Sequence, residues 1–135
     1  MAKKFTLRAS ERLKGRKLME RVFKTGTRWN KYPLRVSYII DDETVYGCIK
    51  FGCSAPVRNF KKAVDRNRVK RLMKEAFRLE KHLLVERLKQ KNARLVIFVI
   101  YTAPGLPKFV TIKTAIDELV LKLKEEIEGT KLLNN

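Results

Sequence analysis

The residues that could carry covalent or metal chemistry are few. The chain has one histidine, His82, and two cysteines, Cys48 and Cys53. No neighbouring residue in the sequence activates His82, which reads as a surface or half-buried group near the end of a helix. A histidine acting as general base needs an orienting partner as well as a proton to take. The cysteines are five positions apart in a strand-like stretch. Odd spacing sends them to opposite faces, so they cannot chelate together or form a redox pair. Small buried residues is the expected reading. Asp41, Asp42 and Glu43 are consecutive acids in a turn-like segment, better suited to a solvated hairpin tip than to a cation. There is no glycine-rich phosphate loop, nucleophile elbow or His-Glu metal motif. The expectation is a chain with no catalytic residues and no metal ligands of its own.

What remains is charge. Asn67, Lys70, Arg71, Lys74 and Arg78 cluster on one side of a helical wheel, with Arg66 and Arg68 on its flanks. Opposite them lies the apolar stripe Val69, Leu72, Met73, Ala76 and Phe77 at helical spacing. A solvated helix face normally mixes signs. Here Glu75 lies off the cluster, and Asp65 and Glu80 lie towards the ends, so the face is read as a polyanion surface. Arginine can hold a phosphate with two parallel N–H groups, lysine acts as a point charge, and an asparagine amide can read a base edge or ribose hydroxyl. An anionic membrane fits less well, because the apolar face lacks Trp and is needed for a core. The N-terminal segment interleaves cations with rings (Phe5, Arg8, Arg12, Lys14, Arg16, Lys17, Phe23, Arg28, Trp29, Tyr32). That pattern suits unpaired bases stacking while cations follow the backbone.

The elements that must position these groups follow from length and periodicity. The 135 residues fit one domain, read as a single RNA-binding unit over 1–135 with flexible ends at 1–12 and 130–135. Lys and Arg number 32 against 14 Asp and Glu, a net charge of +18. Residues 1–35 supply +10 of it and residues 58–81 supply +7. Such self-repulsion implies a polyanionic partner. No apolar run is long enough to cross a membrane, no secretory signal is expected, and cysteine usage points to the reducing cytoplasm. A short helix is expected from about Gly15 to Thr25, with Gly26 at the position of a C′ glycine. Leu34 to Ile39 and Val45 to Ala55 read as a β-hairpin, with Gly47 and Gly52 marking a bulge or a close backbone approach. A basic helix runs from about Phe60 to His82, ending by Lys89–Asn92. Leu95–Tyr101 is an unbroken apolar run suited to a central strand buried on both faces. A last helix follows Pro104–Pro107 and stops at Gly129. The fold class is α+β, helices packed on a small mixed sheet.

The run from Lys61 to Arg78, with Arg66-Asn67-Arg68, then Lys70-Arg71 and Glu75-Ala76-Phe77-Arg78, resembles the signature helix of the bacterial ribonuclease P protein component. Arg12-Leu13, Met19, Val22-Phe23 and Gly26 are similar to that family's first helix and its exit. The resemblance covers about residues 5–125. It implies a ribosomal-protein-like sandwich with a left-handed βαβ crossover at the basic helix. It implies an accessory subunit of an RNA-based endoribonuclease that removes the 5′ leader of precursor tRNA. The partners it implies are the catalytic RNA subunit and precursor tRNA, with no membrane; no protein partner is inferred. Mg²⁺ is expected for the holoenzyme, held mainly by the RNA. Arg66, Asn67, Arg68, Lys70, Arg71 and Lys74 are expected to bind the catalytic RNA. Phe23, Tyr38 and Arg58 are expected to touch the leader, in a cleft the family has between signature helix and sheet. Many members carry Ser-x-Lys-Lys after the strand before that helix; here Arg58 is the cation left. The rival reading is a structural ribosomal or general RNA-binding protein without a processing role.

Overall fold

The computed structural model describes Leu13, residues 15–42 and residues 49–129. Cys48, Glu43, the proposed start of the second strand at Val45, Gly47, Phe5, Arg8, Arg12, Lys14 and both proposed flexible ends lie outside the described residues. The element order is α1 (Arg16–Thr25), β1 (Thr27–Lys31), β2 (Leu34–Asp41), β3 (Ile49–Ser54), α2 (Ala63–Gln90), β4 (Arg94–Tyr101) and α3 (Phe109–Gly129). The sheet order is β1-β2-β4-β3. β1 and β4 run antiparallel to β2, and β3 runs parallel to β4 across the α2 crossover.

β4 decides this arrangement. Its sequence RLVIFVIY is buried along nearly its whole length on both faces. A strand apolar on both sides needs neighbours on both edges and layers above and below. It therefore takes the centre, between β2 and β3. This corrects the expected hairpin between Leu34–Ile39 and Val45–Ala55, whose two strands are not neighbours. The partner of β2 is instead β1, TRWNK, joined through Tyr32-Pro33. β1 is polar and largely exposed, so it carries no strand periodicity to find.

The two faces of the sheet are covered unequally. Leu34, Val36 and Tyr38 of β2 and Leu95, Ile97 and Val99 of β4 meet α2 and α3 in the main core, with Phe51 stacked on Phe77 at 4.3 Å. The opposite face carries only Leu13, Val22, Val96 and Phe98, flanked by Leu18, Met19, Ile39 and Ile100. α1 covers just part of it. An ion cluster ties α1 down: Arg94 grips Asp41 with two hydrogen bonds of 3.0 and 2.7 Å, and Arg21 of α1 reaches the same carboxylate at 3.1 Å.

Two glycines have steric reasons. A Cβ on Gly52 would stand 2.8 Å from the Phe98 ring, the close approach expected there. Gly26 is not in the left-handed region, as a C′ glycine would be, but extended at φ −72 and ψ 154. Its reason is space: a Cβ would lie 2.3 Å from the Val22 carbonyl oxygen. The left-handed exit belongs to α2, where Asn92 has φ 51 and the Ala93 amide returns to the Leu88 carbonyl at 2.9 Å.

Candidate RNA-binding surfaces

α2 buries Val69, Met73, Ala76, Phe77, Leu84 and Leu88, and its opposite side faces solvent. Asn67, Arg68, Arg71 and Lys74 are exposed there and Lys70 is half-buried. None of these five makes a side-chain hydrogen bond or ion pair with another described residue. Their donors are open to a partner. Arg78 is engaged by Glu75, which raises the guanidinium's pKa and lowers that of the carboxyl. Arg66 also differs from its neighbours. One nitrogen, Nη1, donates to the carbonyls of Phe60 and Lys61 at 2.8 and 2.9 Å, so the side chain pins the segment entering the helix.

Cys53 sits under this surface. Its thiol lies 3.7 Å from the Lys70 carbonyl, and burial pushes its pKa up to about 11 despite the nearby charges of Lys74 and Lys70. Expected to be a small buried residue, it is half-buried against the core, and the raised pKa leaves little reactive thiolate. His82 is exposed on α2. Among the described residues, no three His, Cys, Asp or Glu side chains converge as a metal site.

The second surface is a groove of about 280 Å³ on the thinly covered face of the sheet. It is lined by Phe23 of α1, Arg28 and Asn30 of β1, Arg35 and Ser37 of β2, and Ile100 of β4. Register puts these strand residues together, because Arg28 is opposite Ser37, Asn30 opposite Arg35, and Arg35 opposite Ile100. Phe23 is 37% exposed and packs edge-on against Phe98, 5.1 Å between centroids. Arg28 donates to the Phe23 carbonyl at 3.2 Å, joining the two walls. The groove offers a ring, two guanidinium groups, an amide and a hydroxyl, with no carboxylate in its lining.

Two expectations change here. Among the described residues the main core packs between α2 and the sheet, and the groove lies on the α1 side instead. Tyr38 is not in it. Tyr38 is 2% exposed on the core face, and its hydroxyl donates to Glu126 of α3 at 2.9 Å. Burial first, and that bond second, hold its pKa well above the ordinary phenol value. The cause is alternation: Tyr38 shares a face with Leu34 and Val36, and Arg35 and Ser37 take the other. Arg58 is exposed in the turn after β3 and is not part of the groove lining. Of the three residues expected at the leader, only Phe23 lines the groove. Arg35, Ser37, Asn30 and Ile100 were missed, though the polar-apolar alternation of Arg35 and Ser37 carried the signal.

A basic sandwich with an unpaired cationic helix face and a carboxylate-free groove on the other side defines a protein built to hold a polyanion. Comparison with known proteins narrows the class. The family model described as Ribonuclease P matches residues 7–124, and the chain belongs to that family. It is 35% identical over 130 residues to the ribonuclease P protein component of Porphyromonas gingivalis strain W83, covering 96% of this chain and 95% of that one. The fold is also that of a solved RNase P protein from Staphylococcus aureus, with a TM-score of 0.67, 24% identity, and coverage of 84% of this chain and 94% of the other. A second structure of the Staphylococcus aureus protein gives a TM-score of 0.60 at 20% identity, covering 88% of this chain and 93% of that chain. The chain is thus a protein subunit of ribonuclease P with a role in tRNA processing, and the rival reading of a structural ribosomal protein is not favoured.

Proposed function

We propose that the subunit binds two RNAs on opposite sides of its sheet: the catalytic RNA on the outward face of α2, and the single-stranded 5′ leader of precursor tRNA in the groove beside α1. The observation that carries this reading is the groove, which lies on the far side of the sheet from the basic helix. Asn67, Arg68, Lys70, Arg71 and Lys74 hold the catalytic RNA through phosphate contacts and one amide. Arg66 contributes by fixing the start of α2. Phe23 stacks an unpaired base while Arg28 and Arg35 neutralise the leader backbone. Arg58 contacts RNA from the turn after β3.

Endonucleolytic hydrolysis belongs to the RNA in this reading. Mg²⁺ is likewise assigned to the RNA, and no step is routed through a protein-held ion. The subunit works in the cytoplasm, adding substrate affinity and screening repulsion between two polyanions. The test is reconstitution. Precursor tRNA stays intact with protein and Mg²⁺ alone and is cleaved once the catalytic RNA is added. Phe23→Ala and Arg35→Gln weaken holoenzyme binding of leader-bearing precursor but not of mature tRNA. Equal losses on both substrates would remove the leader assignment.

A further inference from the structure

We propose that the end of the sheet where β1 turns into β2 and β4 leaves for α3 is a further contact surface for single-stranded RNA. It continues the groove and holds the leader nucleotides farthest from the cleavage site; the inference rests on the groove being the leader site. The loops at this end are locked to one another. The Pro33 carbonyl accepts hydrogen bonds from the Thr102 amide at 2.8 Å and its hydroxyl at 3.0 Å. The Asn59 amide donates to the carbonyls of Thr102 and Ala103 at 3.3 and 3.4 Å. The result is a rigid platform that needs no ordering on contact.

That platform exposes rings and aliphatic groups together with cations. Tyr32 is 74% exposed, Phe109 36%, and Leu106 and Val110 are exposed beside Lys108. Exposed apolar groups gathered in one place on a small protein mark a contact surface rather than scattered surface residues. No Asp or Glu occurs in residues 21–40, 49–64 or 94–116; Glu118 of α3 reaches this end, where it pairs with Lys31 at 3.5 Å. Lys108 has no ion pair among the described residues. A second copy of a chain with net charge +18 meets repulsion here, whereas a polyanion is attracted, the charge of Glu118 being offset by Lys31. Continuity with the groove supplies the route. Arg35 and Ile100, which line the groove, are the pair next to Leu34 and Tyr101, the last of the β2–β4 ladder. Tyr32 and Pro33 precede Leu34 directly, and Thr102 follows Tyr101. RNA leaving the groove past Arg35 therefore runs onto Tyr32.

The experiment is holoenzyme affinity for precursors with progressively longer leaders. Wild-type affinity rises with length to a plateau. Tyr32→Ala and Phe109→Ala leave the gain from the shortest leaders intact and cut the plateau by about tenfold, the scale of losing a stacked base. Lys108→Gln lowers the salt slope on long leaders by about one. Phe23→Ala removes the early gain, so failure of the groove reading shows as an unchanged early gain in that variant. An unchanged plateau for Tyr32→Ala and Phe109→Ala overturns the proposal. So does an equal loss on leaderless substrate, which would give this end to the tRNA body or catalytic RNA. Self-association abolished by the same changes would give it to a second copy.

Discussion

Tyr38→Phe separates a structural tyrosine from a substrate-binding one. The change removes a hydroxyl and leaves the ring, which is 2% exposed against α3. The lost interaction is one 2.9 Å hydrogen bond to Glu126. A neutral pair contributes about 0.5–1.5 kcal/mol and a charged acceptor somewhat more. Glu126 also has Lys122 at 3.6 Å and stays partly solvated, which favours the lower figure. A loss of about 1 kcal/mol corresponds to roughly 3–4 °C in Tm for a chain of this length. The pH dependence has a definite sign. The folded-state pKa of Tyr38 is raised by burial and then by the bond to Glu126. Its stabilisation is therefore complete below the ordinary tyrosine value and is lost as pH rises beyond it. The wild-type advantage over Tyr38→Phe should narrow above about pH 10. The assays are thermal unfolding across pH and holoenzyme affinity for precursors of different leader length. Tyr38→Phe should cost stability and leave leader affinity unchanged. Unchanged Tm together with a leader-binding loss as large as that of Phe23→Ala would refute this placement.

Asn67→Ala changes no charge, yet it should weaken catalytic-RNA binding by about 1–3 kcal/mol if the open amide is satisfied by RNA; Lys70→Gln should instead flatten the salt slope by about one, and titrations across a salt series distinguish the two. Cys53 should react with alkylating reagents at pH 8 about a hundredfold more slowly than an ordinary thiol, since burial pushes it up to about 11; the rate is read in a Cys48→Ser background, and rapid labelling would contradict the burial. Gly52→Ala should cost about 1–3 kcal/mol, because the new methyl meets the Phe98 ring at 2.8 Å. Phe98 supports Phe23, so leader affinity should fall with it; unchanged denaturant midpoint and affinity would mean the ring yields freely.

Legibility in the sequence followed how strongly each residue's environment is dictated by its type. β4 was readable because seven apolar residues in a row admit few other roles. α2 was readable because its apolar stripe and basic face are both continuous, and Lys89–Asn92 ends it as the polar composition implies. β1 was not, since an exposed strand of Thr, Arg, Trp, Asn and Lys resembles a loop until β2 is beside it. Pairing β2 with β3 followed sequence adjacency, whereas the demand of β4 for two covered edges overrides it. Charge clusters were visible as clusters, but not the fate of each member. No helical wheel shows that the Phe60 and Lys61 carbonyls fold back onto Arg66. The groove depended on β1, so its lining could be read only after that strand was placed.

The separation of the two surfaces has an energetic consequence. Between the open face of α2 and the groove lie a helix layer and the sheet, and a packed layer is about 10 Å thick. That is about one Debye length at physiological salt, so exposed charges on one side are largely screened from the other. Phe51, Phe77, Met73 and Ile97, which lie between the two surfaces, are buried and apolar. Changes at Asn67 and at Phe23 should therefore add. The double variant should lose affinity for leader-bearing precursor, in a complex with saturating catalytic RNA, by the same amount as Phe23→Ala alone. Its loss for catalytic RNA should equal that of Asn67→Ala alone, each within about 0.5 kcal/mol. A larger interaction energy would mean that the two surfaces are coupled through the sheet.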